Sequence, residues 1–212
     1  MNGIYIADLG DAVASLAPRA ARDVAGRAIE DMLRCLLPEA NLLHDGRGAP
    51  YLDGADAYLS VSHSGTLAVL ALCHAMRVGV DVEPTVLEDA RAARLEQKYL
   101  THIGDETPSA SFPLPLYLWK KNGENANNSF PFEEICVNPP EDNTPAEATV
   151  RRFTQLEAVL KLSGEGFAAF PRIRELWQGA CVTSALVNSR SGTLYVLSLA
   201  TPRDFDDPNK TT

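Results

Sequence analysis

Asp81 and Glu83 stand two residues apart in "RVGVDVEP", residues 77–84, between Val78, Val80 and Val82. Successive strand side chains point to opposite faces, so the two acids share one face and the valines the other. The carboxylates then lie roughly 7 Å apart along the strand. Two anions this close repel, and each costs free energy when desolvated. A hard divalent cation reverses that cost, because magnesium takes one or two carboxylates together with waters and phosphate oxygens. On this stretch alone, two solvated acids on an edge strand are the plainer reading, since D-x-E is a short motif. Further along, Glu157 and Lys161 are spaced i,i+4 and share a helix face. They read either as a surface ion pair or as a third carboxylate with an ammonium one turn away for a phosphate. Ser62, His63 and Ser64 form a third group, where a strand meets a turn. No G-x-S-x-G elbow surrounds them, so a serine hydrolase is not indicated. His63 is either a structural histidine or, with the hydroxyls, part of a phosphate donor set.

The elements that must position these residues are legible in outline. Residues 3–10 read as a strand ended by Gly10. Ala25, Ile29, Met32, Leu33 and Leu36 recur on one face of an amphipathic helix that Pro38 stops. Arg19, Arg22 and Arg27 lie along its first turns. Residues 44–54 are turn-rich, with Gly46, Gly48, Pro50 and Gly54. A strand is expected over 57–65. The run from Thr66 to Pro84 predicts a hairpin of two apolar strands turning near His74–Arg77. A helix follows over 87–100. Residues 101–149 hold seven of the chain's 14 prolines and the stretch "NGENANN", which predicts a long irregular excursion with short strands. A helix is expected from Val150, closed by Gly164 or Gly166. Residues 180–188 and 192–201 predict an antiparallel hairpin, and an acidic, frayed tail follows from Pro202. Mixed elements without a βαβ repeat predict an α+β fold with antiparallel sheets.

Taken in order, G-x-P at 48–50, S-x-S-H-S at 60–64, V-G-V-D-V-E at 78–83 and F-T-x-x-E-A-x-x-K-x-x-G-x-G at 153–166 resemble the 4'-phosphopantetheinyl transferases, long single-chain type. The likeness covers roughly residues 22–100 and 150–200. It implies two pseudo-equivalent lobes, each a small antiparallel sheet packed with a long helix, with the active site between them. The N-terminal lobe would be 1–78 and the C-terminal lobe 79–212. It implies transfer of the phosphopantetheine arm of coenzyme A to a serine of an acyl- or peptidyl-carrier protein, releasing adenosine 3',5'-bisphosphate. By the match, Asp81, Glu83 and Glu157 hold magnesium, and manganese also suits such oxygen ligands. Lys161 would contact a phosphate; Glu157, directly or through a metal-bound water, is the best candidate for the base that takes the serine proton. Arg22, Pro50, Ser62 and His63 would contact coenzyme A. A monomer is expected.

Three positions depart from the pattern. Leu156 and Ala49 stand where lysines are usual, and Phe153 stands where Trp is usual. The first two remove cations from the coenzyme A site, each worth about 1.5–3 kcal/mol as a charged hydrogen bond. Arg47, Lys120 or Lys121 would have to compensate. The same departures suit a degenerate relative that binds coenzyme A or metal without transferring the arm. The excursion 101–149 is either a carrier-docking segment or a variable insertion.

The totals are ordinary for a soluble globular protein. At 212 residues and 45% hydrophobic content the chain can bury a sizeable core. A net charge of -9 disfavours nucleic acid and anionic membranes as partners. Cys35, Cys73, Cys136 and Cys181 form no CxxC pair, and residues 1–20 lack a signal-peptide pattern, so a reducing, cytoplasmic setting is expected.

Overall fold

The computed structural model of the chain describes residues 2–10, 13, 15–103, 114–120, 131–137 and 144–203. Lys121, the "NGENANN" stretch and the tail from residue 204 lie outside them. The described residues form a mixed α+β structure with four α-helices and three sheets.

Strand β1 (Gly3–Asp8) is wholly apolar where it is buried, with Ile4, Tyr5 and Ile6 fully inaccessible. Helix α1 (Pro18–Leu36) opens with Pro in its first turn, where a missing N–H costs nothing. It buries Ala25, Ala28, Ile29, Met32 and Leu33, all on one i,i+3/i+4 stripe. Strands β2 (Asn41–His44) and β3 (Pro50–Asp53) pair as a hairpin, with β3 inside the stretch 44–54 that composition marks only as turns. Then come β4 (Tyr58–Ser64), β5 (Leu67–Cys73), β6 (Gly79–Pro84) and α2 (Asp89–Lys98). Short strands β7 (Leu116–Trp119) and β8 (Phe132–Ile135) emerge from the proline-rich excursion. Helix α3 (Pro145–Leu162), α4 (Ile173–Gln178) and the hairpin of β9 (Ala180–Asn188) and β10 (Leu194–Pro202) complete the chain.

The five-stranded sheet has the order β4-β5-β1-β7-β8 and the three-stranded sheet β6-β10-β9. Two expectations change here. Strands β5 and β6 are not a hairpin: β5 pairs with β4 and β1, whereas β6 pairs with β10. The short strands of the excursion, which the likeness would place in the lobe 79–212, join the larger sheet instead: β7 pairs with β1, and in parallel. The five-stranded sheet is therefore mixed rather than purely antiparallel. Pro202, read as the start of the tail, closes β10 opposite Ala180.

The sheets pack through apolar faces. Ile4, Ile6, Leu67 and Val69 of the larger sheet meet Val80, Val82, Leu197 and Leu199 of the smaller. Each such side chain contributes about 1.5–3 kcal/mol when fully buried. Helix α1 covers the outer face of the larger sheet, with Ile29 and Met32 against Leu70 and Leu72. Helix α3 covers the outer face of the smaller, with Ala158 and Leu160 in one cluster with Val182 and Ala200. No helix among the described residues is long and apolar enough to cross a membrane.

Candidate active site

The smaller sheet turns alternate residues toward α3. In register, Gly79 lies opposite Ala200, Asp81 opposite Ser198 and Glu83 opposite Val196. Val80 and Val82 face the other sheet, as the alternation predicts. Gly79 sets how close α3 can come. A Cβ there would overlap the Ala158 carbonyl oxygen and sit 2.5 Å from the Leu162 nitrogen. Only a glycine lets the helix backbone rest on β6, and that contact places Glu157 and Lys161 over the acids.

A buried polar network fixes the rest of the helix. Ser198 donates to Thr154 Oγ1 at 3.0 Å and lies 2.9 Å from Ser184, which accepts from Gln155 Nε2 at 3.0 Å. Thr154 Oγ1 donates in turn to the Arg151 and Val150 carbonyls. Buried hydroxyls paired in this way fix the rotation of α3, because any other rotation strands them.

Strand β4 runs beside β6, and serine side chains span the gap. Val80 N–H donates to Ser60 Oγ at 3.0 Å. Ser62 Oγ donates to Asp81 Oδ1 and Ser64 Oγ to Glu83 Oε2, each at 2.7 Å. Ser60, Ser62 and Ser64 share one face of β4 and His63 lies on the other, where Arg22 of α1 is close enough to act on it. Partial burial and then Arg22 push the His63 imidazole below its ordinary value. Ser62, expected against coenzyme A, is instead committed to Asp81.

Lys161 Nζ donates to Asp81 Oδ1 at 2.7 Å and to the Val80 carbonyl at 3.1 Å. Asp81 Oδ2 is buried without a hydrogen-bond partner. Burial, and secondarily the Asp81 charge, push the Glu157 carboxyl up to about 8. Burial also raises Glu83, against the hydrogen bond from Ser64. The structure thus brings together Asp81, Glu83, Glu157 and Lys161: three carboxyl groups facing one ammonium. Among the described residues no group of three or more His, Cys, Asp or Glu side chains is placed so that it could hold a metal ion; the lysine ammonium is the cation seated on Asp81.

A cleft of roughly 860 Å3 opens beside this cluster. Its walls include the Asp45–Pro50 turn, Arg77, and the Lys161–Gly166 end of α3. Pro50, expected at a ligand site, lines it, and so does Arg47. Lys120 is paired with Glu133 and does not line it. Lys161 both lines the cleft and touches Asp81, so it joins the two. Arg77 was not picked out from sequence; its one signal is that it immediately precedes V-G-V-D-V-E. The turn is held by Asp45, whose Oδ1 accepts from the Arg47 and Ala49 N–H groups at 2.8 Å. Those donors hold the Asp45 carboxyl below its usual range.

No family model matches the chain, and no curated protein matches it.

Proposed function

We propose that this chain is a magnesium-dependent 4'-phosphopantetheinyl transferase, moving the phosphopantetheine arm of coenzyme A to a serine of an acyl- or peptidyl-carrier protein in the cytoplasm. One observation carries the reading. Lys161, four residues after Glu157, is seated on Asp81 at the mouth of a cleft that the G-x-P turn walls. Four sequence elements far apart in the chain therefore converge on one place.

In this reading α1 with the larger sheet and α3 with the smaller sheet are two pseudo-equivalent lobes, and the site lies on their β4–β6 seam. Asp81, Glu83 and Glu157 would hold the divalent ion. The mutual repulsion of the crowded carboxyl groups fits a hard cation with oxygen ligands. When bound, that ion neutralises and aligns the diphosphate oxygens. The chain's own groups do the remainder. The carrier serine Oγ attacks the phosphorus on the pantetheine side of the diphosphate. Glu157, in the ionised form that a bound cation would favour, takes the hydroxyl proton, the bond to the bridging oxygen breaks, and adenosine 3',5'-bisphosphate leaves. Lys161 steadies the transferring phosphate; Arg22 and His63, expected against coenzyme A, do not line the cleft.

The test is Glu157→Gln. It removes the base and a ligand while keeping the side chain's size. Transfer to an apo carrier protein should fall at least a hundredfold, in the range of a lost general base. Full activity with unchanged magnesium dependence would refute the assignment. Leu156 and Ala49 favour a second reading, a relative that binds coenzyme A without transfer. Leu156 is fully buried, so a lysine there would not fit the present packing.

A further inference from the structure

The cleft lacks the lysine expected at residue 49, and residue 156 is turned into the core. Its remaining cations are Arg47, Arg77 and Lys161. The acids on its walls are already engaged. Asp45 is held by the backbone N–H groups of its own turn, and Glu165 is paired with Arg172 at 2.8 Å. With Lys161 seated on Asp81, the cleft leaves the charges of Arg47 and Arg77 for a ligand, in a chain of net charge -9.

Arg77, unlike Lys161, is not seated on a carboxylate. Among the described residues no acidic side chain is paired with it. It is exposed, two residues before the glycine on which α3 rests. Its Nη1 lies 3.2 Å from where a Cβ of Gly164 would stand. Gly164 has φ +74, so the last turn of α3 reverses there without a side chain and leaves room for the guanidinium. Lys161 is one turn back on the same helix end. Two cations from different elements, Arg77 from β6's approach and Lys161 from α3, therefore flank one end of the cleft. Arg22 and His63 lie on the opposite side of β4.

We infer that Arg77 is a phosphate-binding residue of this cleft, gripping the diphosphate of the ligand with Lys161 and replacing the lysines missing at 49 and 156. This rests on the transferase reading for the identity of the ligand. Its planar fork suits two phosphate oxygens at once, as a lysine does not.

Titration calorimetry with coenzyme A, ADP and adenosine 3',5'-bisphosphate tests it on the wild type, Arg77→Gln and Arg77→Lys. Losing a charge-assisted contact should weaken coenzyme A and ADP about ten- to a hundredfold in Arg77→Gln, with partial recovery in Arg77→Lys. The bisphosphate, which has no diphosphate, should change less than threefold, and thermal midpoints without ligand should be unchanged. Equal coenzyme A affinity in wild type and Arg77→Gln would overturn the inference and leave the transferase reading standing. Equal losses for all three ligands would also overturn it, since the contact would then not be with the diphosphate. A wild type that binds no coenzyme A would sink both.

Discussion

Asp81 is 2% exposed, and its charge rests on Oδ1, which receives Ser62 and Lys161 while Oδ2 has no partner. Glu157 meets the same crowding differently, by holding its proton to about 8. The consequence for stability has a definite sign. A carboxyl whose folded value is raised contributes fully below the ordinary range near 4.5, and that contribution is lost as pH rises toward about 8. With a chelator present, the wild type should therefore lose stability across that window, at a ceiling of about 1.4 kcal/mol per pH unit for one proton. Glu83, also raised, adds in the same direction. Glu157→Gln should flatten the curve and be the more stable protein at pH 8 in chelator, and magnesium should restore the wild type there. Thermal melts at four or five pH values decide it; parallel curves for the two proteins would contradict the assignment. At this scale the sequence is most informative where periodicity is local. The shared face of Asp81 and Glu83 and the Glu157–Lys161 pair follow from strand and helix geometry. The partner of Ser62 does not, because alternation places Ser60, Ser62 and Ser64 on one face without saying that β6 lies beside it. Arg77 carries no pattern at all; only the fold takes a residue from a polar turn to the last turn of α3.

Among the elements, the contact of α3 with β6 governs the site. Gly79→Ala would drive a methyl into the Ala158 carbonyl, where helix backbone cannot yield as a flexible side chain would. The expected cost is about 1–3 kcal/mol or more from overpacking. The larger effect is on function, since α3 carries both Glu157 and Lys161. Gly26 is the control. It sits inside α1 with nothing within 4 Å of an added Cβ, so Gly26→Ala should stabilise by about 0.5–1 kcal/mol. Denaturant titration of the two variants separates the effects; equal, small changes would mean that β6 and α3 are not in close register. The sequence pattern predicts a start of helix α3 at Val150, whereas the helix begins at Pro145. Thr144 and Glu147 form a reciprocal capping box there, with hydrogen bonds of 3.0 and 3.1 Å. That signal was in the sequence, masked by the surrounding prolines. The β5–β6 hairpin is a different kind of miss. Two apolar strands joined by a short polar segment look locally paired. The partner of β6, however, is β10, more than a hundred residues later, and non-local pairing leaves no local trace.

For the molecule as a whole, the two sheets press their valine, leucine and isoleucine faces together, and the seam between β4 and β6 is bridged by serine hydroxyls. The chain closes its larger sheet with β7 and β8, drawn from the proline-rich stretch that composition marks as irregular. Breakers there limit strand length to four residues but do not prevent pairing with β1. An acidic protein with a cationic cleft suits an anionic small ligand better than a polyanion, because its overall field repels the latter. The most direct measurement incubates the purified chain with coenzyme A, magnesium and apo carrier proteins of fatty-acid, polyketide and peptide synthases, and then determines each carrier's intact mass. A gain equal to the phosphopantetheine arm on at least one carrier, lost in chelator, is the result predicted. Coenzyme A bound by the protein with no mass gain on any carrier would contradict transfer and leave a binding protein in its place.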